Sequence, residues 1–174
     1  EKNIFYWIFT PHNGHIMVVS KILSSLLVYL NFSPTTFFIP LGILIILIGL
    51  YFLWRIIKVG STNKNYTIIF LFCSYFWISP WNWENLIWEF QFPWFIISTF
   101  VVISTFIFLR NTEIKDFNKY ENIYLFLSPL IAVISTGAGI CYVNCLLLNY
   151  LGKRKYNIYP LIGTFLAYFL FIVV

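Results

Sequence analysis

The basic residues of this chain stand in three short clusters that long apolar runs separate. Nine of the eleven Lys and Arg residues lie in these clusters. Loops on the cytoplasmic side of a bilayer carry an excess of Lys and Arg, so the pattern predicts a membrane protein with all three clusters on the cytoplasmic side. The clusters are Arg55/Lys58/Lys64, Arg110/Lys115/Lys119 and Lys153/Arg154/Lys155.

The composition excludes a water-soluble domain. Of the 174 residues, 60% are hydrophobic and 10% are charged, whereas a soluble globular chain has about 25% charged residues. The net charge of +5 does not indicate nucleic-acid binding, because the cations stand at the ends of apolar segments and not along one polar face. We expect the lipid bilayer as a partner and no nucleic acid.

The apolar segments predict an all-α, polytopic transmembrane helical bundle that forms a single domain over residues 1–174, with five or six membrane crossings and one juxtamembrane helix on the outer face. A bilayer core of about 30 Å needs about 20 apolar residues as helix. The chain begins with Glu-Lys-Asn and stops in an apolar run, so we expect an internal piece of a longer protein. The predicted spans are Thr36–Ile57, Tyr66–Ser79, Phe92–Leu109, two halves of Ile123–Leu151, and Ile158–Val174.

Two of these assignments depend on keeping the basic clusters on one side. The run Ile123–Leu151 has basic residues beyond both ends, so a hairpin broken near Ser135-Thr136-Gly137-Ala138-Gly139 is favoured over a single helix. The segment Ile16–Asn31 would invert the clusters if it crossed the membrane. Its Ser20, Lys21, Ser24 and Ser25 form one helical stripe, so we favour a helix in the interface plane on the outer face over a true span.

A first group of polar residues in the outer loops is His12-Asn13-Gly14-His15, followed by Lys21. The two imidazoles could ligate a metal or donate hydrogen bonds to a phosphate, or they are simply interfacial polar residues. Lys21 could snorkel to lipid headgroups or bind the phosphate of a lipid-borne substrate as a point charge.

A second group is the aromatic and acidic stretch 81–91. It has no Lys or Arg to neutralise Glu84 and Glu89, and acids at a membrane boundary without a cation usually serve function. Trp rings beside Asn, Gln and Glu side chains suit a sugar, which presents both CH groups and hydroxyls. The alternative is an aromatic belt with incidental polar residues.

The remaining sequence features are better explained by helix packing than by a binding or catalytic role. The small residues at 135–139 permit close helix packing, which we favour over a binding role. Cys73, Cys141 and Cys145 lie in apolar runs and are predicted to be packing residues. Cys141 and Cys145 share a helix face, but no His or carboxylate near them in sequence completes a metal site.

In this order, the three motifs resemble bacterial polytopic membrane proteins of the GT-C glycosyltransferase-like class. The stretch from His12 to Lys21 is similar to that class's "HN-x-H" segment, and 135–139 resembles its small-residue turn. Residues 83–91 resemble its "WENLLWGFQ" segment, with seven of the nine residues in agreement. Gly14, Ile16 and Glu89 depart from the pattern, so no role is carried over to Glu89.

The resemblance implies an enzyme of the bacterial cytoplasmic membrane with its active face extracytoplasmic. Such enzymes pass a sugar from polyprenyl phosphate to a glycan, lipid or protein hydroxyl, and an early acidic residue acts as general base or holds a divalent cation. A divalent cation is therefore the one cofactor that the resemblance leaves open, and that acidic residue is expected before Glu1. The implied site residues are Glu84 for catalysis and His12, Asn13, His15, Lys21, Asn85, Trp88 and Gln91 for substrate binding.

Three other functions remain open at this point. A non-enzymatic binding or translocation partner for lipid-linked glycans would share the outer groove. A membrane transporter subunit would place ionisable residues near the middle of the membrane, where the predicted spans have none. A structural subunit would tolerate alanine at Glu84, Asn85 and Gln91.

Overall fold

The computed structural model describes residues 4–11, 17–60, 66–78, 92–111, 117–151 and 158–173. Within these ranges the regular structure is entirely α-helical, which confirms the predicted all-α class. The described helices are α1 (Ile4–Phe9), α2 (Val18–Tyr29), α3 (Pro34–Gly60), α4 (Tyr66–Ile78), α5 (Phe92–Arg110), α6 (Lys119–Ser135), α7 (Gly139–Leu151) and α8 (Ile158–Val173).

Helices α3 and α5 run side by side in the same direction. Near their starts, the ring centroids of Phe38 and Phe92 lie 5.0 Å apart, and near their ends those of Phe52 and Phe106 lie 5.3 Å apart. Both helices are apolar until a basic residue close to their ends. Parallel packing therefore brings these two basic ends together.

Helix α6 begins where α5 ends, and an ion pair joins them. Arg110 donates from its guanidinium to the carboxylate of Glu121. The Glu121 N–H donates to Asn118 Oδ1 at 2.9 Å, and the Asn118 N–H donates to Glu121 Oε2 at 2.8 Å. This capping box satisfies two N–H groups at the start of α6. We call this end of the bundle the basic pole; its described cations are Arg55, Lys58, Arg110 and Lys119.

The predicted hairpin between α6 and α7 is confirmed. Helix α6 ends at Ser135, Thr136 is extended, and α7 begins at Gly139. A Cβ on Gly139 would overlap the carbonyl of Ala132 and lie 2.7 Å from the Val133 nitrogen. The two helices therefore meet at a distance that only glycine permits, and α7 returns toward the basic pole.

Helix α8 runs beside α6 through a face of small residues. Pro160, Gly163, Thr164 and Ala167 are its buried positions. A Cβ on Gly163 would lie 2.8 Å from the Phe126 Cα and overlap the Phe126 carbonyl oxygen. Small residues four apart let helix backbones approach closely in membranes, and Gly163 and Ala167 have this spacing.

The described bundle is apolar outside and partly polar inside. Large apolar side chains of α3, α4 and α8 are exposed, among them Leu44, Leu47, Leu71, Phe165 and Phe169. Hydroxyl side chains are buried between helices instead, among them Ser20, Thr99, Ser104, Ser128 and Thr164. A helix at a water-soluble surface turns its polar face outward. This distribution suits a lipid environment.

The described helices include fewer full-length spans than predicted. Only Pro34–Val59, with 26 residues, and Phe92–Arg110, with 19, are long and apolar enough to cross a membrane. Helices α4, α6, α7 and α8 have 13 to 17 residues, which is about 20–26 Å against a core of about 30 Å. By length, two of the described helices can cross a membrane, which is fewer than the predicted five or six crossings.

Candidate functional site

The described helices that follow the first two motifs in the chain, and the third motif itself, pack at the end of the bundle opposite the basic pole. We call it the distal pole, and it comprises the starts of α3 and α5 and the α6–α7 turn. Helix α2 packs there, since Leu27 clusters with Phe38 and Phe92, and Ile131 of α6 packs against them. Helix α2 follows the histidine motif, Phe92 follows residues 81–91, and the turn is the third motif itself.

Most of the predicted site residues lie outside the described part of the chain. His12, Asn13 and His15 fall within 12–16, and Glu84, Asn85, Trp88 and Gln91 fall within 79–91. Their roles stay predictions.

Lys21 is the predicted site residue that the structure describes, and it is buried. Its residue exposure is 4%. The ammonium donates to the Trp7 carbonyl oxygen at 2.8 Å and to that of Thr10, and it lies 5.2 Å from the centroid of the Trp7 ring. Desolvation lowers the pKa of Lys21 from its usual value. Lys21 therefore does not snorkel to the surface; it attaches α1 to α2.

The polar stripe of α2 faces the protein interior, which differs from the predicted interfacial helix. Ser20 and Ser24 are buried with Lys21, while Leu26 and Tyr29 are exposed. A helix in the interface plane would turn its polar stripe to water. Here the stripe packs inward and the apolar side chains are the exposed ones. With 12 residues, α2 is among the shorter apolar helices and is not one of the two that are long enough to cross a membrane.

Two buried hydroxyls of the distal-pole elements have no hydrogen-bond partner among the described residues. They are Ser20 Oγ on α2 and Thr136 Oγ1 at the end of α6, each in a residue with 1% exposure. Buried polar groups are nearly always hydrogen-bonded. Helix α2, which carries Lys21 and Ser20, packs against α6, which Thr136 directly follows. Sequence reasoning singled out Lys21 but not these hydroxyls, since Ser and Thr are common in membrane helices.

The structure also contains a buried hydroxyl network that sequence reasoning missed. The Tyr142 hydroxyl lies 2.6 Å from Ser104 Oγ and 2.7 Å from Ser128 Oγ. It therefore joins α7 to α5 and α6. Its burial and its ring contact with Phe100, at 6.0 Å between centroids, favour a packing role.

The described residues offer no cluster of three or more His, Cys, Asp or Glu side chains for a metal ion. Cys141 and Cys145 are exposed on α7, and Cys73 is half-buried. The predicted packing role of Cys141 and Cys145 is therefore wrong. Their face of α7 points out of the bundle, and its hydrophobicity alone did not reveal this.

Comparison with known proteins found no relative: no protein-family model, curated protein or solved structure matches this chain.

Proposed function

We propose that this chain is part of a bacterial membrane glycosyltransferase of the GT-C-like class. It transfers a sugar from a polyprenyl-phosphate donor to a glycan, lipid or protein hydroxyl at the cell surface. The resemblance of the three motifs supports this function. The observation that carries it is that the described neighbours of all three motifs meet at the distal pole.

The basic pole indicates which end of the bundle faces the cytoplasm in this proposal. The described ends of α3 and α5 and the start of α6 bring the described members of the first two basic clusters to one end of the bundle. Cytoplasmic placement of that end follows from the positive-inside rule and puts the distal pole on the extracytoplasmic face. The shorter helices cross if the bilayer thins around them, at modest energetic cost, which would restore five or six crossings.

The chemistry at the distal pole suits a phosphate and a sugar. An ammonium has three donors, so two carbonyl oxygens do not exhaust Lys21. It can complement a lipid phosphate, together with His12, Asn13 and His15. The hydroxyls of Ser20 and Thr136 can hydrogen-bond to a polar ligand. Asn85, Trp88 and Gln91 contact the sugar in this proposal.

Glu84 takes the catalytic role. Its carboxylate accepts the proton of the acceptor hydroxyl as that oxygen attacks the sugar, or it orients another base that does so. General base catalysis contributes about 10²–10⁴-fold to a rate. A divalent cation would stabilise the departing phosphate if the wider protein supplies its ligands.

The direct test is Glu84→Gln in the full-length protein, with Glu113→Gln, within the second basic cluster of the sequence, as the matched control. Purified variants receive a labelled polyprenyl-phosphate sugar and an acceptor extract. We expect Glu84→Gln to lower turnover at least 10²-fold and Glu113→Gln to leave it unchanged. Turnover equal to wild type for Glu84→Gln removes that residue from the mechanism.

The same assay separates the enzyme from its closest rival. A binding or translocation partner would retain the labelled lipid without forming product. Wild-type protein that binds the lipid and gives no product with any acceptor fraction would favour that rival.

A further inference from the structure

A groove between α6 and α8 opens beside the basic pole, far from the proposed site. Its volume is about 580 Å³, within the range of about 300–1,000 Å³ typical of ligand pockets. One face of α6 supplies most of its lining and α8 supplies the rest. The lining residues are Lys119, Asn122, Ile123, Phe126, Leu127 and Tyr159.

Helix α8 packs along α6, and one close approach of the two helices lies beside the groove. At Gly163 the two backbones are so close that a Cβ would overlap Phe126. Lys119 lies seven residues before Phe126, about 10 Å along the helix axis. The side chains of Ile123, between the crossing and the pole, and of Leu127, next to the crossing, remain exposed.

The lining changes from polar to apolar along its length. Lys119 and Asn122 stand at the pole, and Ile123, Phe126 and Leu127 follow toward the crossing. Lys119 is exposed, and among the described residues it has no ion pair or hydrogen bond. Tyr159 lies at the polar end, where amphipathic rings suit the headgroup region. An amphiphile with a negative head and a hydrocarbon tail has the matching order of groups.

The cations at the basic pole indicate which class of amphiphile the groove would bind. At the basic pole the described side chains include four cations, Arg55, Lys58, Arg110 and Lys119, and one carboxylate, Glu121, which is already paired with Arg110. Basic pockets between helices on the cytoplasmic side bind anionic lipid headgroups. A neutral or zwitterionic headgroup would gain little from Lys119.

We propose that this groove, which we call the α6–α8 groove, binds an anionic phospholipid of the leaflet at the basic pole. The phosphate contacts the Lys119 ammonium, and one acyl chain lies along Ile123, Phe126 and Leu127. This site is separate from the proposed glycosyltransferase site and does not depend on it.

The first experiment measures lipid binding to the purified full-length protein by native mass spectrometry, with phosphatidylglycerol and phosphatidylcholine as probes. One lysine near an anionic surface contributes about a fivefold preference. We expect wild type to prefer phosphatidylglycerol by about that factor, Lys119→Gln to lose the preference, and the control Lys58→Gln on α3 to keep it. Equal preference in Lys119→Gln and wild type overturns the proposal.

A second experiment needs no variant, so a folding defect cannot obscure it. Phosphatidylglycerol with a photoreactive diazirine on an acyl chain is crosslinked to wild-type protein in nanodiscs. We expect the labelled peptides to cover 119–127 and 158–163. Labelling confined to other helices overturns the proposal.

Other occupants give distinct results. Competition by soluble glycerol phosphate at the concentration that displaces phosphatidylglycerol would assign the groove to a free phosphate compound. A dimer that dissociates on Leu127→Trp, with phosphatidylglycerol binding unchanged, would assign it to a second copy of the chain. Either result overturns the lipid assignment, whereas loss of lipid binding in monomeric Leu127→Trp supports it.

Discussion

Two glycines of one turn should respond oppositely to the same added methyl group. In Gly139→Ala, the new Cβ would overlap the Ala132 carbonyl and lie 2.7 Å from the Val133 nitrogen. These are backbone atoms of α6, so no side-chain rotation can relieve the overlap. In Gly137→Ala, the Cβ would have no neighbour within 4 Å.

The expected cost of Gly139→Ala follows from this geometry. Overpacking costs about 1–3 kcal/mol, and we take about 3 kcal/mol because the whole of α7 must move away from α6. The gain in helix propensity from Gly to Ala is at most about 1 kcal/mol in a helix interior, and less at the first residue of α7. For a chain of this size, 1 kcal/mol shifts Tm by about 2–4 °C. The net effect of Gly139→Ala is a fall of about 4–12 °C.

The assay is thermal unfolding of each purified variant in the same detergent, followed by far-ultraviolet circular dichroism. Gly137→Ala should match wild type or exceed it slightly, because alanine reduces the freedom of the unfolded chain. A Tm for Gly139→Ala within 1 °C of that of Gly137→Ala would refute the close approach of α6 and α7.

Two further predictions concern the polar contacts inside the bundle. Tyr142→Phe leaves the buried hydroxyls of Ser104 and Ser128 without their shared partner, so it should lower the free energy of unfolding by about 1–3 kcal/mol. The control Tyr120→Phe, at an 80% exposed position, should leave that free energy unchanged. Equal stabilities of the two variants would contradict the network. Glu121→Ala removes both the capping box and the Arg110 ion pair, whereas Glu121→Gln can retain the cap. Amide exchange in the first turn of α6 should therefore be faster in Glu121→Ala, with a stability about 1 kcal/mol below that of Glu121→Gln; identical exchange in the two variants would contradict the capping role.

The order of the main helices along the chain was predictable from the sequence. Hydrophobic length and the position of Arg55 and Arg110 predicted α3 and α5, and the structure brings those two residues to one pole. The break at Ser135–Gly139 was predicted because basic residues lie beyond both ends of a long apolar run. These features depend on composition along the chain, which a sequence displays directly.

Features that depend on which neighbour a helix meets were not predictable. The stripe of Ser20, Lys21 and Ser24 identifies one face of α2 but not whether that face meets water or protein. Periodicity likewise did not reveal that Cys141 and Cys145 face outward. For the candidate site, Lys21 was identified in advance, but its carbonyl partners on α1 belong to a contact that spacing alone does not specify.

The inward-facing polar stripe of α2 has a consequence for biosynthesis. A lysine opposes membrane insertion of a helix, by about 2.5–3.5 kcal/mol at the helix centre, and Lys21 in the first turn of α2 disfavours insertion of α2 on its own. Part of the surface that covers α2 belongs to α5 and α6, which leave the ribosome roughly 5–20 s later. The packing of α2 can therefore be completed only after α6 has been made, so the order of assembly is not the order of synthesis.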